Sequence, residues 1–407
     1  MSDPGSTPDF APLASSSAEP TGSARQRLAE VASVFLRLGT TAFGGPAAHV
    51  ALMENELVQR RRWLSREDFL DLLGAANLIP GPNSTELALF LGHKRAGWPG
   101  LIVAGFCFIL PAALITTAIA WSYVQWGRLP ELRGAMNAIQ PVILVILGQA
   151  LLGLGRSAIR TRVHGALALA SAVAALLGAH ELVVLLLAGV ALQLIQSPAP
   201  RRPISDTPSK SGPLAWIPVL SGGSSIALAS GPVTAGKLFL IFLKTGSVLF
   251  GSGYVLLAFL RADFVERAHW LTERQLLDAI AVGQFTPGPV FSTATFIGYL
   301  LHGGTGAGAA TVGIFLPAFC FVAAGSWILA TLRESPVARR FLDGVNLASL
   351  GLMAVVSGQL AWQVPRNLTT AVCLVGSWWA IVRCKVPSAW LILLCGTVGT
   401  AVSLLTR

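Results

Sequence analysis

Charged side chains are scarce in this chain of 407 residues. Asp, Glu, Lys and Arg together make up 12% of it, against about 25% in soluble domains, while hydrophobic residues make up 53%. Four stretches carry no charged side chain: 134–155, 279–332, 344–365 and 386–406. Each could cross a bilayer, which takes about 20 apolar residues, and the second could cross twice. The composition excludes an ordinary soluble domain and predicts an all-α polytopic membrane protein.

Motifs for catalysis, metal binding and cofactors are also missing. His180-Glu181 begins an HExxH pattern, but Val184 stands where the second histidine is required. The five cysteines form no CxxC pair and lie mostly in apolar runs, which is typical of small core residues. The sequence therefore predicts no enzyme, no metal site and no cofactor. An intramembrane enzyme acting on a lipid or peptide stays open as an alternative.

The net charge of +10 could indicate a nucleic-acid partner. The bases, however, cluster in short loops, at Arg60-Arg61-Arg62, Arg156/Arg160/Arg162 and Arg201-Arg202. Such clusters hold loops of a membrane protein in the cytoplasm. We therefore expect the lipid bilayer, and no nucleic acid, as the surrounding partner.

The chain contains a long internal repeat. Phe35-Leu36-Arg37-Leu38-Gly39 returns as Phe242-Leu243-Lys244-Thr245-Gly246, 207 positions later. Further matches are Phe43-Gly44-Gly45 with Phe250-Gly251-Ser252, Glu56 with Asp263, Asp71 with Asp278, Pro80-Gly81-Pro82 with Pro287-Gly288-Pro289, Leu110-Pro111-Ala112 with Leu316-Pro317-Ala318, and Gly148-Gln149 with Gly358-Gln359. A repeat of this length is a duplicated domain. Two related halves are the usual architecture of a secondary transporter.

The repeat divides the chain into four parts. Residues 1–27 are a Ser/Pro/Gly/Ala-rich tail, predicted to be disordered. Residues 28–196 and 233–407 are the two membrane repeats, and 197–232 is a linker whose middle, Leu214 to Leu228, is apolar enough for an interfacial segment. We expect about ten to twelve membrane segments, because the runs beside Pro-Gly-Pro are too short to span alone. Re-entrant hairpins or one broken helix, and inverted or parallel halves, stay open.

The Pro-Gly-Pro and Gly-rich breaks predict an anion site. Two prolines around a glycine cannot continue a helix, and in lipid the freed backbone groups need protein, water or a ligand. The helix that starts after the second proline offers free N–H groups to an anion. The alternative is that the breaks are hinges or tight helix crossings, but their recurrence in both halves favours binding.

Two cations and three acids complete the prediction. Arg37 and Lys244 occupy matching positions inside membrane segments, where a base costs about 2.5–3.5 kcal/mol. We predict that they line an anion path, the alternative being that they snorkel to an interface. Glu86 has no acidic counterpart in the second half and is the first candidate for proton coupling, followed by Asp71 and Asp278.

The predicted substrate-binding residues are thus the two cations, the breaks and the amides beside them: Arg37, Gly44, Gly45, Asn77, Pro80, Gly81, Pro82, Asn83, Lys244, Gly251, Gly253, Gln284, Pro287, Gly288 and Pro289.

These doubled motifs resemble the chromate ion transporter (CHR) family, in its long two-domain bacterial form. The resemblance covers about Leu28 to Leu405 and departs from strict repetition at Ser252 and Gly253, where the first half has Gly45-Pro46. It implies a multi-pass protein of the bacterial inner membrane that exports chromate, is driven by protons and confers chromate resistance. Sulfate has the same shape and charge, so a sulfate or other oxyanion carrier stays open, as do a channel and assembly into a homodimer.

Overall fold

A computed structural model describes residues 23–43, 45–127, 129–196, 231–249, 255–365, 367–384 and 386–405. Helices make up the secondary structure of this part, and no strand occurs in it. The segment Leu214 to Leu228, expected at the interface, lies outside the described residues. The first helix begins at Ala24, where the Ser23 hydroxyl accepts from the Gln26 amide, and so starts inside the range assigned to the tail.

In the described residues, each half shows seven α-helices in the same order. The first half has α1 (Ala24–Thr41), α2 (Gly45–Glu54), α3 (Arg66–Ala76), α4 (Asn83–Trp126), α5 (Pro130–Ala158), α6 (Arg162–Leu176) and α7 (Glu181–Gln196). The second has α8 (Ala235–Val248), α9 (Leu256–Leu260), α10 (Glu273–Phe285), α11 (Thr293–Glu334), α12 (Pro336–Gln363), α13 (Leu368–Cys384) and α14 (Ser388–Leu405). One-turn π-helical segments extend α2 (Asn55–Arg60) and α9 (Arg261–Arg267).

Five helical segments in the described part of the chain are long and apolar enough to cross a membrane. They are Asn83–Trp126, Pro130–Ala158, Val290–Gly325, Pro336–Gln363 and Ser388–Leu405. Three shorter apolar helices accompany them, α6, α7 and α13. The predicted all-α polytopic architecture is confirmed.

The long helices α4 and α11 each reverse direction at a glycine. Gly97 has φ 64° and Gly303 has φ 61°, in the left-handed region that favours glycine. Gly92 packs directly on the Gly100 carbonyl, so the chain folds back on itself. Helix α4 therefore consists of a short arm, 83–95, and a long arm, 98–126.

Helix α3 and the short arm of α4 form a re-entrant hairpin with Pro80-Gly81-Pro82 at its tip. Lys94 at the end of the arm binds Asp68 at the start of α3, with 3.1 Å between Nζ and Oδ2. Helix α3 has 11 residues, about 16 Å of length, which is half of a hydrocarbon core of about 30 Å. The base of the hairpin, where α3 begins and the short arm ends, therefore lies at one side of the molecule. The Arg95–Glu30 ion pair lies at the same side, which we call the proximal face. The other side is the distal face.

The two halves are inverted relative to each other. A Cβ on Gly155 of α5 would lie 3.8 Å from Leu350 of α12. In the repeat, Leu350 matches position 140 of α5, which lies 15 residues from Gly155. In parallel halves, Leu350 would share the depth of position 140 and would therefore lie about 22 Å from Gly155 along the membrane normal. Tyr123, at the distal end of the long arm of α4, donates a hydrogen bond to Asp278 at 2.8 Å, so Asp278 lies near the distal face. Its counterpart in the repeat, Asp71, lies one turn from Asp68 at the proximal face. Both contacts require antiparallel halves.

The last helices of each half pack on the other half. Gly134 of α5 lies against Gly399 of α14, and Gly344 of α12 lies against Gly189 of α7, with backbone in contact at both places. These four glycines form two pairs that match in the repeat. Side chains larger than glycine would separate the helices, so the interlocked halves depend on these small residues.

Candidate anion site

The breaks of the two halves meet at the centre of the molecule. The Gly81 amide donates to the Leu249 carbonyl at 2.7 Å, and the matching Gly288 amide donates to the Ala42 carbonyl at 2.9 Å. Ala42 and Leu249 end α1 and α8, immediately before the Gly-rich breaks. The glycine amides of both tips are therefore used to join the halves, and the anion must be held by other groups.

A cavity of about 1130 Å³ leads from these breaks toward the proximal face. Its inner end is lined by Phe43, Pro82, Asn83, Val290 and Phe291. Its outer end is lined by Arg160 and His164, which follow α5, and by Pro387 and Ser388 before α14. Helices α5 and α12 supply its long walls. The cavity thus lies between the halves and ends at the start of α4.

The start of α4 offers the donors expected of an anion site. Pro82 precedes the helix without a side-chain cap. The Thr85 and Glu86 amides bond to the Pro82 carbonyl, whereas no such backbone bond is found for the amides of Asn83 and Ser84 within the described residues. Both of these residues line the cavity. Free amides at a helix start, together with the helix dipole, favour an anion.

Two predicted amide side chains meet at this helix start. The Asn83 Nδ2 donates to the Asn77 Oδ1 at 2.5 Å, and both side chains line the cavity. The pair fixes the orientation of each amide, because one has become the acceptor and the other the donor. A second Nδ2–H on Asn83 and the Nδ2 of Asn77 remain as donors for an oxyanion.

Glu86 lies behind the helix start, inside the protein. Its side chain is fully buried (0% exposed), and neither carboxylate oxygen has a hydrogen-bond partner among the described residues. It packs so closely on Gly81 that a methyl group there would collide with Oε1. An ionised carboxylate without a partner is costly to bury. Ionisable groups at membrane depth commonly belong to an ion or proton path.

Arg37 and Lys244 are held in matching ion pairs and do not line the cavity. Arg37 binds Glu56, and Lys244 binds Asp263 with 2.6 Å between Nζ and Oδ2. The side chain of Arg37 is 46% exposed, whereas that of Lys244 is 11% exposed. The repeated cation is therefore accompanied by a repeated acid. The sequence repeat contains both the pair of cations and the pair of acids, but it does not indicate that each cation binds the acid of its own half.

The other predicted residues take three kinds of position. Gly44, Gly251 and Gly253 lie outside the described residues. Gly45, Pro80, Gly81, Gln284, Pro287, Gly288 and Pro289 are buried near the breaks, and none of them lines the cavity. Asp71 is exposed on α3, while Asp278 is buried and accepts from Tyr123 and from the Gln140 Nε2 (3.1 Å).

Sequence reasoning missed most of the cavity wall. Gln149, Asn346, Ser349, Arg160 and His164 all line it. The repeat pointed to Gln149, and Arg160 was interpreted only as a retention signal. Asn346 and Ser349 correspond to Met136 and Ile139 in the first half, so the repeat carried no signal for them.

Comparison with known proteins identifies the chain. The family model described as "Chromate transporter" matches it twice, over residues 29–194 and 236–400. The chain belongs to the chromate transporter family. Chromate transporters are membrane transporters and not enzymes, which excludes the intramembrane-enzyme alternative.

Several curated relatives of this chromate transporter are similar over most of their length. A "Probable chromate transport protein" of Synechococcus elongatus is 30% identical over 86% of this chain and 90% of its own. The "Chromate transport protein" of Cupriavidus metallidurans is 30% identical over 84% of each chain. That of Pseudomonas aeruginosa is 32% identical over 80% of this chain and 79% of its own. No solved structure matches.

Proposed function

We propose that this protein exports chromate from the bacterial cytoplasm across the inner membrane and thereby confers chromate resistance. The observation that carries the proposal is the cavity, which opens at the proximal face and ends at the uncapped start of α4. Arg60-Arg61-Arg62 and the bases at 156, 160 and 162 belong to segments at that face. Because positively charged loops stay in the cytoplasm, the proximal face is cytoplasmic and the cavity is open to it.

The chemistry of the inner end fits a tetrahedral dianion. Chromate offers four acceptor oxygens, and the site offers backbone amides at a helix start with the amides of Asn77 and Asn83. Two charges leaving an inside-negative cell gain about 2.3 kcal/mol per charge per 100 mV. The names of the relatives in Synechococcus, Cupriavidus and Pseudomonas support chromate as the substrate.

Proton coupling is assigned to Glu86. An anion at the start of α4 disfavours a second negative charge one turn further along the helix. The protonated side chain then leaves the cytoplasm-facing state together with the anion, and its deprotonation on the far side helps to expel the anion. One proton thus moves outward with each dianion, and the membrane potential, which acts on the net charge of −1, drives export. Its burial without a hydrogen-bond partner among the described residues supports this role.

The experiment that tests the proposal is uptake of radiolabelled chromate into inverted membrane vesicles, with sulfate as competitor. Chromate that accumulates and is only weakly displaced by sulfate supports a chromate exporter. Strong displacement by sulfate, or faster sulfate uptake, would instead indicate a general oxyanion carrier. Flux that does not saturate would indicate a channel.

A further inference from the structure

Arg160 differs from the other bases of its loop. Among the described residues that line the cavity, it is the one lysine or arginine. Its Nε donates to the Ser157 carbonyl at 3.2 Å, which ties the inner nitrogen of the guanidinium to the end of α5 and leaves the two terminal nitrogens for other acceptors. No carboxylate lies within ion-pair distance of it in the described part of the chain. Arg156 and Arg162, on either side, do not line the cavity.

The opposite wall offers neutral donors at the same depth. Helices α5 and α12 run antiparallel and meet at Gly155 and Leu350, so the end of α5 lies level with Asn346 and Ser349. Both of these residues line the cavity. The Ser349 side chain is only 3% exposed, and its hydroxyl has no hydrogen-bond partner among the described residues. A buried hydroxyl without a partner at a cavity wall needs a ligand or water to satisfy it.

We propose that Arg160, Asn346 and Ser349 form a second oxyanion site at the mouth of the cavity, distinct from the start of α4. The inference rests on the proposed function. A guanidinium presents several N–H donors in a planar fork that matches two oxygens of an oxyanion. The hydroxyl and the amide supply donors from the other half. The site takes a tetrahedral dianion, such as chromate or sulfate, as it enters from the cytoplasm.

Asp343 sets the strength of this mouth site. It lies one turn before Asn346 on α12 and lines the same cavity. Its negative charge opposes a dianion and partly cancels the attraction of Arg160. Transport requires binding that is strong enough to capture the ion and weak enough to release it. Asp343→Asn should therefore tighten binding at the mouth and lower the KM for chromate.

The test compares two variants that remove one positive charge from the same loop. Arg160→Gln should raise the KM for chromate uptake into inverted vesicles by about tenfold. It should also flatten the dependence of the uptake rate on ionic strength, and leave Vmax within about twofold. Arg162→Gln is the matched control, because it removes one positive charge from the same loop and weakens the positive-inside signal equally. It should change KM by less than about twofold. Arg160→Lys should recover part of the loss, because it restores the charge without the planar fork.

Ser349→Ala provides a second measurement that does not disturb folding, since it removes only an unpartnered hydroxyl. It should raise KM by about threefold to tenfold, the worth of one ordinary hydrogen bond. Equal KM values in wild type, Arg160→Gln and Ser349→Ala would overturn the mouth site alone. A wild-type protein that takes up neither chromate nor sulfate would overturn the proposed function and the mouth site together.

Discussion

The amide of Gly81 donates a hydrogen bond to the carbonyl of Leu249, 2.7 Å away in the other half of the molecule. The repeat places Gly288 and Ala42 in the same relationship at 2.9 Å. Each Pro-Gly-Pro tip thus completes the broken end of the opposite half. This exchange explains how backbone can be irregular at membrane depth without being left unsatisfied.

Alanine at either tip glycine should weaken the protein. Gly81 has φ 137° and Gly288 has φ 85°, and a methyl group would collide with Glu86 at the first and crowd Ala112 at the second. We expect a loss of about 1–3 kcal/mol of stability and of transport. Thermal unfolding in detergent measures the first effect. Gly376→Ala is the control, because it lies in α13 with open space around it.

The ion pairs predict different effects for the two matched cations. Lys244→Ala leaves the buried Asp263 with Arg267 as its remaining partner, so it should cost about 3 kcal/mol. Arg37→Ala removes an exposed partner of Glu56 and should cost about 1 kcal/mol or less. If the cations serve the anion path, both variants lose transport although only one loses stability.

Adding Asp263→Asn to Lys244→Ala separates these roles. The double variant removes the buried Asp263 charge that has lost one of its two partners, while Arg267 keeps Glu181, and it should regain stability without regaining transport. Normal chromate uptake by both single variants would show that the cations serve only to hold α1 and α8 against the π-helical segments that follow α2 and α9.

Cysteines at the inner end of the cavity should be protected by substrate. Asn83 and Val290 come from different halves and both line the cavity. In a cysteine-free background, Asn83→Cys and Val290→Cys should react with a thiol reagent more slowly when chromate or sulfate is present. Gln125→Cys, exposed near the distal end of α4, should react at the same rate with and without anion. Indifference of all three positions to both anions would place the substrate elsewhere.

The sequence predicted the breaks because proline and glycine act locally, but it could not choose between inverted and parallel halves. That choice depends on long-range contacts, such as the one between Gly155 and Leu350. The partners of Arg37 and Lys244 were hidden for the same reason, since Glu56 and Asp263 follow them 19 residues later across a chain reversal. Asn346 and Ser349 could not be predicted as cavity residues, because their position depends on the packing of α12 against the cavity.

Glu86→Gln should separate exchange from accumulation. The amide holds the position neutral, so chromate counterflow at equal pH should persist within about threefold of wild type, while uptake driven by a pH gradient should fall by tenfold or more. Glu67→Gln is a suitable control, because this acid lies in the exposed first turn of α3. Gradient-driven accumulation by the Glu86→Gln protein would move the proton path to another acid, with Asp71 and Asp278 next to be tested.

Uptake of radiolabelled chromate by inverted vesicles, compared with right-side-out vesicles of the same protein, tests the central claim most directly. The basic face and the cavity that opens on it predict saturable uptake in inverted vesicles, stimulated when the medium outside the vesicles is made more acidic than the lumen, and absent when the protein is not expressed. Uptake confined to right-side-out vesicles, or no difference from vesicles without the protein, would contradict export from the cytoplasmic face.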